Sequence, residues 1–185
     1  AVREEIAEGV RVTRFRYAPT GGESLAYNGG IMARLRARRL RYALVPFYLA
    51  AMAFAIHRLV RSGRFDAIHA HWIIPQALIG ALLRRLSLRR FPRLVCTAHG
   101  GDVYSLNNPV WMWLKRWTLQ NCDAVTTVSN AMLETPEMPP NASVLPMGTD
   151  LRTRFAPVEG ILRNHDELVF VGRLVEKKGV EYLIR

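Results

Sequence analysis

Apolar and polar positions follow one order along most of the chain: a short apolar run, a turn and a longer stretch with helical spacing. The short runs predict strands at 10–17, 66–72, 94–97, 123–128, 143–145 and 167–171. The longer stretches predict helices at 31–41, 43–56, 76–88, 109–120, 130–134 and from residue 180 onward. Strands that alternate with helices predict an α/β fold with a parallel sheet and right-handed crossovers.

One stretch interrupts this order and suggests a domain boundary. Residues 152–166 have no clear period and contain Pro157 and Gly160, as expected for a linker. We therefore predict a first domain at 1–151, a linker at 152–166 and the start of a second domain at 167–185. Because the chain opens on Ala1 and closes on Arg185 within a predicted helix, we expect it to be a piece of a longer protein.

The strongest candidate for chemistry is the stretch LVCTAHGGDV at 94–103. Four apolar or β-branched residues predict a buried strand, which ends at His99, Gly100, Gly101 and Asp102. Ligands of open α/β sheets bind at the carboxyl ends of strands. His99 is therefore the first residue that we expect to contact a substrate.

The run ALVPFYLAAMAFAI at 43–56 is apolar throughout. A membrane span needs about twenty apolar residues, and a run of this length is more typical of a buried or interfacial helix. The pattern favours a helix packed on the sheet, with Pro46 in its first turn. Docking of an amphipathic helix on a membrane is the alternative.

The positive charge of the chain predicts an anionic partner. The net charge is +11, and residues 24–101 hold thirteen arginines against the single acid Asp66. Such a field favours a membrane surface, a phosphorylated ligand or a nucleic acid. The alternative is an arginine-rich surface that serves solubility alone.

A second candidate site is the basic loop, residues 172–179, with the sequence GRLVEKKG between a predicted strand and a predicted helix. Its Gly172, Arg173 and Lys178 suit a diphosphate, because arginine offers a planar fork to phosphate oxygens and lysine a compact charge. The loop lacks the GxxxxGK[ST] pattern of a P-loop. A solvated basic turn is the alternative reading.

The remaining motifs give weaker evidence of a functional site. His69 and His71 lie two apart on a strand and share a face, a spacing that some metal sites use, but no further ligand is clearly arranged beside them. No metal site is predicted. The motifs DxD, GxSxG and HExxH are absent. Cys96 and Cys122 lie in or beside apolar runs and suit unpaired thiols in a reducing compartment.

Five segments resemble, in order and spacing, a glycosyltransferase of the GT-B fold from the large retaining family 4. They are HAHWIIPQALIGALL (69–83), TAHGGDVYSL (97–106), DAVTTVSNAM (123–132), VLPMGTDLRTRFAP (144–157) and LVFVGRLVEKKGVEYLI (168–184). The resemblance covers residues 9–185 and implies two Rossmann-like domains, of which the second begins here with its first β-α unit. It implies transfer of a sugar, with retention of configuration, from a nucleotide-sugar such as a UDP- or GDP-sugar to a glycan or lipid-linked acceptor.

The resemblance also implies roles for single residues. Gly172, Arg173 and Lys178 would bind the donor diphosphate, and His99 would contact the transferred sugar near its anomeric carbon. Gly100, Gly101 and Asp102 would shape the loop beside it, and no metal or other cofactor would be needed. Basic first domains of the family often dock on membranes, so we expect a cytoplasmic protein, peripheral on the inner face of the membrane.

Two pieces of the family pattern are expected outside these residues. A first strand with a glycine-rich loop should precede Val10 by several dozen residues, and a pair of acidic residues that contacts the donor should follow Arg185. We therefore predict that the 185 residues alone transfer no sugar. Two alternatives remain: a non-catalytic basic module that binds acidic lipid or nucleic acid, and a degenerate, non-catalytic relative. Nucleic acid is disfavoured because the tryptophans lie on an apparently buried helix.

Overall fold

The structure is a computed structural model that describes residues 3–25, 31–88, 90–156, 158, 160, 164–172, 174 and 178–184. It consists of two compact units, Ala1–Met147 and Gly148–Arg185, and each is described by itself.

The first unit is built on a parallel sheet of four strands in the order β3-β4-β5-β6. These strands are Ala67–His71, Arg93–Ala98, Ala124–Thr127 and Ser143–Val144. Each neighbouring pair is parallel, with His71 opposite Thr97 and Thr97 opposite Thr126. The prediction of an α/β fold with a parallel, Rossmann-like sheet flanked by helices is confirmed.

A separate antiparallel hairpin precedes this sheet, formed by β1 (Arg3–Ala7) and β2 (Val10–Arg14). Glu8 and Gly9 connect the strands, and both have positive φ, as a tight two-residue hairpin requires. The strand expected at 10–17 is therefore shorter. Its partner β1 escaped prediction because REEIA has too few apolar residues to show a period of two.

The helices of the first unit follow the predicted order. They are α1 (Ile31–Ala37), a 3-10 turn (Arg39–Ala43), α2 (Leu44–Arg61), α3 (Leu78–Leu86) after a π-helical turn (Ile73–Ala77), α4 (Pro109–Gln120) and α5 (Asn130–Leu133). Helix α4 has the predicted bounds. The Asn108 side chain accepts a hydrogen bond of 3.0 Å from the Trp111 N–H, and Pro109 occupies the first turn.

The core lies between β4 and the helices. Leu94, Cys96 and Ala98 of β4 are fully buried together with Ile73 and Ala77. Helix α3 approaches the sheet at Gly80, where a Cβ atom would lie 2.9 Å from Leu94 Cδ1. Apolar residues thus hold β4 within the core, which matters because the candidate site begins directly after its last residue.

Helix α2 is only partly packed. Met52 is buried and Tyr48 contacts the rings of Phe15 and Tyr17, but Phe47 and Phe54 are 63% and 66% exposed. Within the helical span Arg39–Arg61 a stretch of 18 residues has a mean hydropathy of 1.7, and by length and composition this is the one helix among the described residues that could cross a membrane. Packing on the rest of the unit therefore covers one side of α2 and leaves an apolar side in contact with solvent.

The second unit contains α6 (Val180–Ile184), where a helix was predicted. The strand expected at 167–171 is not formed among the described residues. A strand is defined by hydrogen bonds to a neighbour, and the part of this unit that the structure describes offers no strand to pair with. The strand of the predicted β-α unit is therefore wrong for these residues, and its helix is confirmed.

Candidate active site

The candidate site lies at the carboxyl end of the parallel sheet. Strand β3 ends at His71 and is followed by Trp72, and strand β4 ends at Ala98 and is followed by His99. Because β3 and β4 are parallel neighbours, their ends meet at one edge of the sheet. The four imidazole and indole rings of His69, His71, Trp72 and His99 therefore form one cluster.

His99 is held from two sides. Its Nε2 atom lies 2.8 Å from Nδ1 of His71, a hydrogen bond between two rings. The indole of Trp72 stacks on the imidazole, with ring centroids 5.8 Å apart and an angle of 28° between planes. The ring that the sequence singled out is thus oriented by two residues from the neighbouring strand end.

Asp102 holds the backbone of the same loop, which we call the histidine loop (residues 99–107). Asp102 is 6% exposed. Its carboxylate accepts hydrogen bonds from the N–H of His99 at 3.0 Å and from the N–H of Ile73 at 2.7 Å. Each oxygen serves a different loop, so Asp102 ties the end of β4 to the end of β3. This geometry suits a structural carboxylate and not a proton-transferring one.

Glycine is required at two positions of the histidine loop, for a different physical reason at each. Gly100 has a φ of +84°, a backbone conformation that residues with a side chain rarely adopt. At Gly101 a Cβ atom would lie 2.8 Å from Cζ3 of Trp72. Trp72 itself has a φ of +85°, a strained conformation that costs on the order of 1–3 kcal/mol and is typical of functional sites.

A buried lysine anchors the far end of the histidine loop. Lys115 of α4 is fully buried, and its Nζ atom donates to the Val103 carbonyl at 2.6 Å, to Glu137 Oε1 at 3.2 Å and to Asn107 Oδ1 at 3.3 Å. A buried ammonium needs such partners because its desolvation is expensive. Sequence reasoning missed Lys115; its one signal is a lysine within the apolar, tryptophan-rich stretch WMWLKRW.

His69 lies at the inner end of the ring cluster. Its Nε2 atom is 2.7 Å from Thr97 Oγ1, which is itself 2.7 Å from Thr126 Oγ1, so one polar chain crosses three strands. Its ring is 4.3 Å from that of His71. Partial burial, followed by the neighbouring His71 and His99 rings, lowers the pKa of His69. His69 is therefore a histidine satisfied within the sheet.

A cavity of about 400 Å³ lies beside β3, lined by His69 and His71, by Ile56 of α2, and by Gln76 and Gly80. The Gln76 Oε1 atom is buried and has no hydrogen-bond partner among the described residues. An N–H or O–H group that entered the cavity would satisfy this oxygen.

No metal centre is found in the described part of the chain, where no three or more His, Cys, Asp and Glu side chains are grouped to hold an ion. Cys96 and Cys122 are free thiols.

The donor-site candidates belong to the second unit. Gly172 is exposed, and a Cβ there would lie 3.0 Å from Phe170 Cζ. Lys178 is exposed and precedes α6, whereas Arg173 lies outside the described residues. The structure thus brings together His99, Gly100, Gly101 and Asp102, and describes Gly172 and Lys178 within the second unit alone.

A parallel α/β sheet with oriented imidazoles at its carboxyl end belongs to the Rossmann-like class of ligand-binding domains. Comparison with known families is more specific. The sequence profile of "Glycosyltransferase Family 4" matches residues 2–152, and the chain belongs to this family.

Two relatives agree with this assignment. The N-acetyl-alpha-D-glucosaminyl L-malate synthase of Bacillus anthracis is 30% identical over 95 residues, which cover 50% of this chain and 25% of that protein. The uncharacterized glycosyltransferase MJ1178 of Methanocaldococcus jannaschii is 29% identical over 133 residues, which cover 68% of this chain and 34% of that protein. The chain thus matches about a quarter to a third of the length of these curated relatives.

Proposed function

We propose that the protein containing this chain is a hexosyltransferase. It transfers a sugar from a nucleotide-sugar such as a UDP- or GDP-sugar to a glycan or lipid-linked acceptor, with retention of configuration, in cell-envelope polysaccharide or glycolipid synthesis. The observation that carries the proposal is His99, oriented at the carboxyl end of the sheet in a chain of Glycosyltransferase Family 4. One relative is, by its name, a synthase of N-acetyl-alpha-D-glucosaminyl L-malate, a compound that contains a sugar, and this agrees with transfer of a sugar.

In this proposal the two candidate loops divide the work. His99 contacts the transferred sugar near its anomeric carbon. An oriented hydrogen-bond donor at that position stabilises the charge that develops in the transition state. Arg173 and Lys178 bind the donor diphosphate and stabilise the departing nucleotide, and Gly172 keeps their loop compact. No step requires a metal or another cofactor.

The test uses the complete gene product, expressed from the whole open reading frame that contains this segment. Purified protein is incubated with a panel of nucleotide-sugars and membrane lipid extract, and both release of nucleotide and the anomeric configuration of the product are measured. We expect transfer with retention, and a loss of about a hundredfold in His99→Ala. His165→Ala, an exposed histidine of the second unit, is the matched control.

Two results would contradict the proposal: no turnover of any nucleotide-sugar, or full activity in His99→Ala. In this proposal the 185-residue chain by itself shows no transfer, because the family pattern expects an acidic pair that contacts the donor beyond these residues. Turnover by these residues alone would refute that part.

We also propose that α2 docks the protein on the anionic inner face of the cytoplasmic membrane. Phe47 and Phe54 are two helical turns apart and largely exposed, so they lie on one side of the helix. The exposed Arg39 lies in the 3-10 turn before the helix, and the exposed Arg58 and Arg61 lie in its last turn. An apolar strip with cations at its ends suits a lipid interface, where the rings enter the acyl region and the guanidinium groups meet phosphates. The two free thiols agree with a reducing compartment.

Vesicle flotation tests this docking. We expect the chain to float with vesicles that contain phosphatidylglycerol, to float less with pure phosphatidylcholine, and to lose most of its binding when Phe47 and Phe54 are both changed to serine. Trp113→Ser is the control, since Trp113 of α4 is equally exposed at 63%. Equal loss in both variants would mean that general apolar exposure, and not α2, drives binding.

Among the described residues the parallel sheet has two edge strands, β3 and β6, and we propose that a further strand of the protein, several dozen residues upstream of Val10, pairs with β3. Strand β3 is at the end of the sheet, and the cavity with the unsatisfied Gln76 oxygen lies next to it. The Trp72 N–H donates to Thr97, so by alternation the amides of His69 and His71 face away from β4.

Hydrogen exchange measures this pairing directly. Protein that includes the upstream coding sequence should protect the amides of His69 and His71 more than the 185-residue chain does, while the amides of β5 stay unchanged. Equal exchange at β3 in both proteins would refute the added strand.

A further inference from the structure

The hydrogen bond between His71 and His99 does more than bring two rings together. It joins Nδ1 of His71 to Nε2 of His99 at 2.8 Å. In a neutral pair one of these nitrogens donates and the other accepts, so a single proton lies between the rings. The tautomer of one ring therefore determines the tautomer of the other.

We infer that His71 is a positioning residue for His99, which holds the imidazole and couples the tautomer of His99 to its own through this hydrogen bond. The inference rests on the proposed function in one respect, namely that His99 contacts the transferred sugar. Whether His99 can donate or accept a hydrogen bond towards that sugar then depends on a residue 28 positions earlier in the chain.

The surroundings of His71 suit this role. Its backbone is held in the sheet, because it is the last residue of β3 and pairs with Thr97 of β4. The ring of His69 packs beside its own ring, with the two centroids 4.3 Å apart. His71 is nevertheless exposed, so its ring can adjust when a ligand enters.

Asp102 and His71 thus act on different parts of His99. Asp102 accepts the backbone N–H at 3.0 Å and sets where the residue stands. His71 binds the far end of the ring and, with Trp72 stacked on its face, sets how the ring is turned. Loss of Asp102 should disturb the loop, whereas loss of His71 should leave the loop in place and change the ring alone.

The test is imidazole nitrogen NMR on the 185-residue chain labelled with ¹⁵N-histidine. The ¹⁵N shifts distinguish the protonated from the unprotonated ring nitrogen. We expect His71→Leu to shift both His99 ring nitrogens towards a mixture of tautomers, with backbone amide shifts of residues 100–103 unchanged. His71→Asn should restore a single tautomer, because its amide can occupy the position of Nδ1. His165→Leu is the control and should leave the His99 signals unchanged.

Unchanged His99 nitrogens in His71→Leu would overturn the inference. A failure of the asparagine variant to restore one tautomer would overturn it as well, since the effect would then not come from a hydrogen bond at Nδ1.

The complete gene product provides a separate measurement. There we expect His71→Leu to lower kcat about tenfold with little change in KM for the donor, and His71→Asn to recover most of it. If the nitrogen shifts respond but no sugar is transferred by the wild type, the proposed function fails while the coupling of the rings stands. Transfer with a kcat unaffected by His71→Leu would overturn the positioning role and leave the proposed function intact.

Discussion

Two loops in this chain have the same local sequence order of a short apolar run, a glycine-containing turn and a helix, and yet differ in the contacts of their described residues. The histidine loop is fastened at its start by Asp102 and at its end by Lys115. In the basic loop the described residues Gly172, Leu174 and Lys178 are exposed and Gly179 is half-buried. A loop acquires a defined geometry when buried partners from other elements reach it, and the local sequence alone does not supply them.

The largest effect on the difference between the two loops is expected when Lys115, the buried cation that holds the histidine loop, is removed. Lys115→Ala should destabilise the first unit by about 3 to 5 kcal/mol, because Glu137 is then left buried without a partner. Urea unfolding followed by circular dichroism measures the loss. The pair Lys115→Met with Glu137→Leu should lose less than the single variant. Arg116→Ala, at the exposed neighbouring position, is the control, and equal midpoints for Lys115→Ala and wild type would refute the prediction.

Asp102→Ala should have the next largest effect. Two backbone N–H groups, those of His99 and Ile73, lose a charged acceptor, for a loss of about 3 kcal/mol in the free energy of unfolding. Asp150 offers a matched comparison in the second unit, since it also accepts backbone N–H groups, from Arg152 and Thr153, but is exposed. Asp150→Ala should leave the unfolding midpoint of the first unit unchanged. Similar midpoints for the two variants would show that burial is not what distinguishes the loops.

A smaller effect is expected from Gly101→Ala. The new Cβ would lie 2.8 Å from the Trp72 ring, so the indole must move, at about 1–3 kcal/mol. Because this indole stacks on His99, tryptophan fluorescence and the His99 ring signals should change together. Gly148→Ala is the control, since its Cβ would meet nothing within 4 Å. Unchanged stability and unchanged His99 signals in Gly101→Ala would contradict the packing.

The smallest effect on stability is expected in the basic loop. Lys178→Ala should alter the free energy of unfolding by less than about 0.5 kcal/mol, as is usual for an exposed side chain. In the complete gene product it should nevertheless weaken inhibition by a nucleoside diphosphate by about tenfold, because a charge on the phosphate is lost. Strong destabilisation would mean that the basic loop is held by more than its local sequence, and unchanged inhibition would remove Lys178 from the donor site.

Much of the fold could be predicted because its signals are local. Helix α4 has the predicted bounds, since Asn108 and Pro109 define its start within a few residues. Strand β4 could also be predicted, from its buried apolar run and the glycines that follow it. The strand at 167–171 was predicted on the same grounds and is absent, because pairing requires a neighbour that the pattern of one segment cannot contain.

The candidate site was predictable only in part. His99 follows a buried strand, so its position at the sheet end could be deduced from the chain. Its partners could not, because His71 and Trp72 lie on a different strand, and Lys115 looks in sequence like a solvated residue of a helix. The exposure of Phe47 and Phe54 likewise could not be deduced, since an apolar run predicts a helix without saying what covers it.

The sequence by itself showed the family, through the match of residues 2–152 to the family profile. It also determined the order of strands and helices from α1 to β6 and the end of β4 directly before His99. These depend on periodicity, capping residues and turn glycines, which act over a few neighbouring positions. Only the tertiary structure decided that His71 binds His99, that Asp102 joins two loops and that Lys115 is buried. The physical reason is that hydrogen bonds and burial between distant residues arise from the register of parallel strands and the packing of helices on them, and neither quantity is present in any single segment.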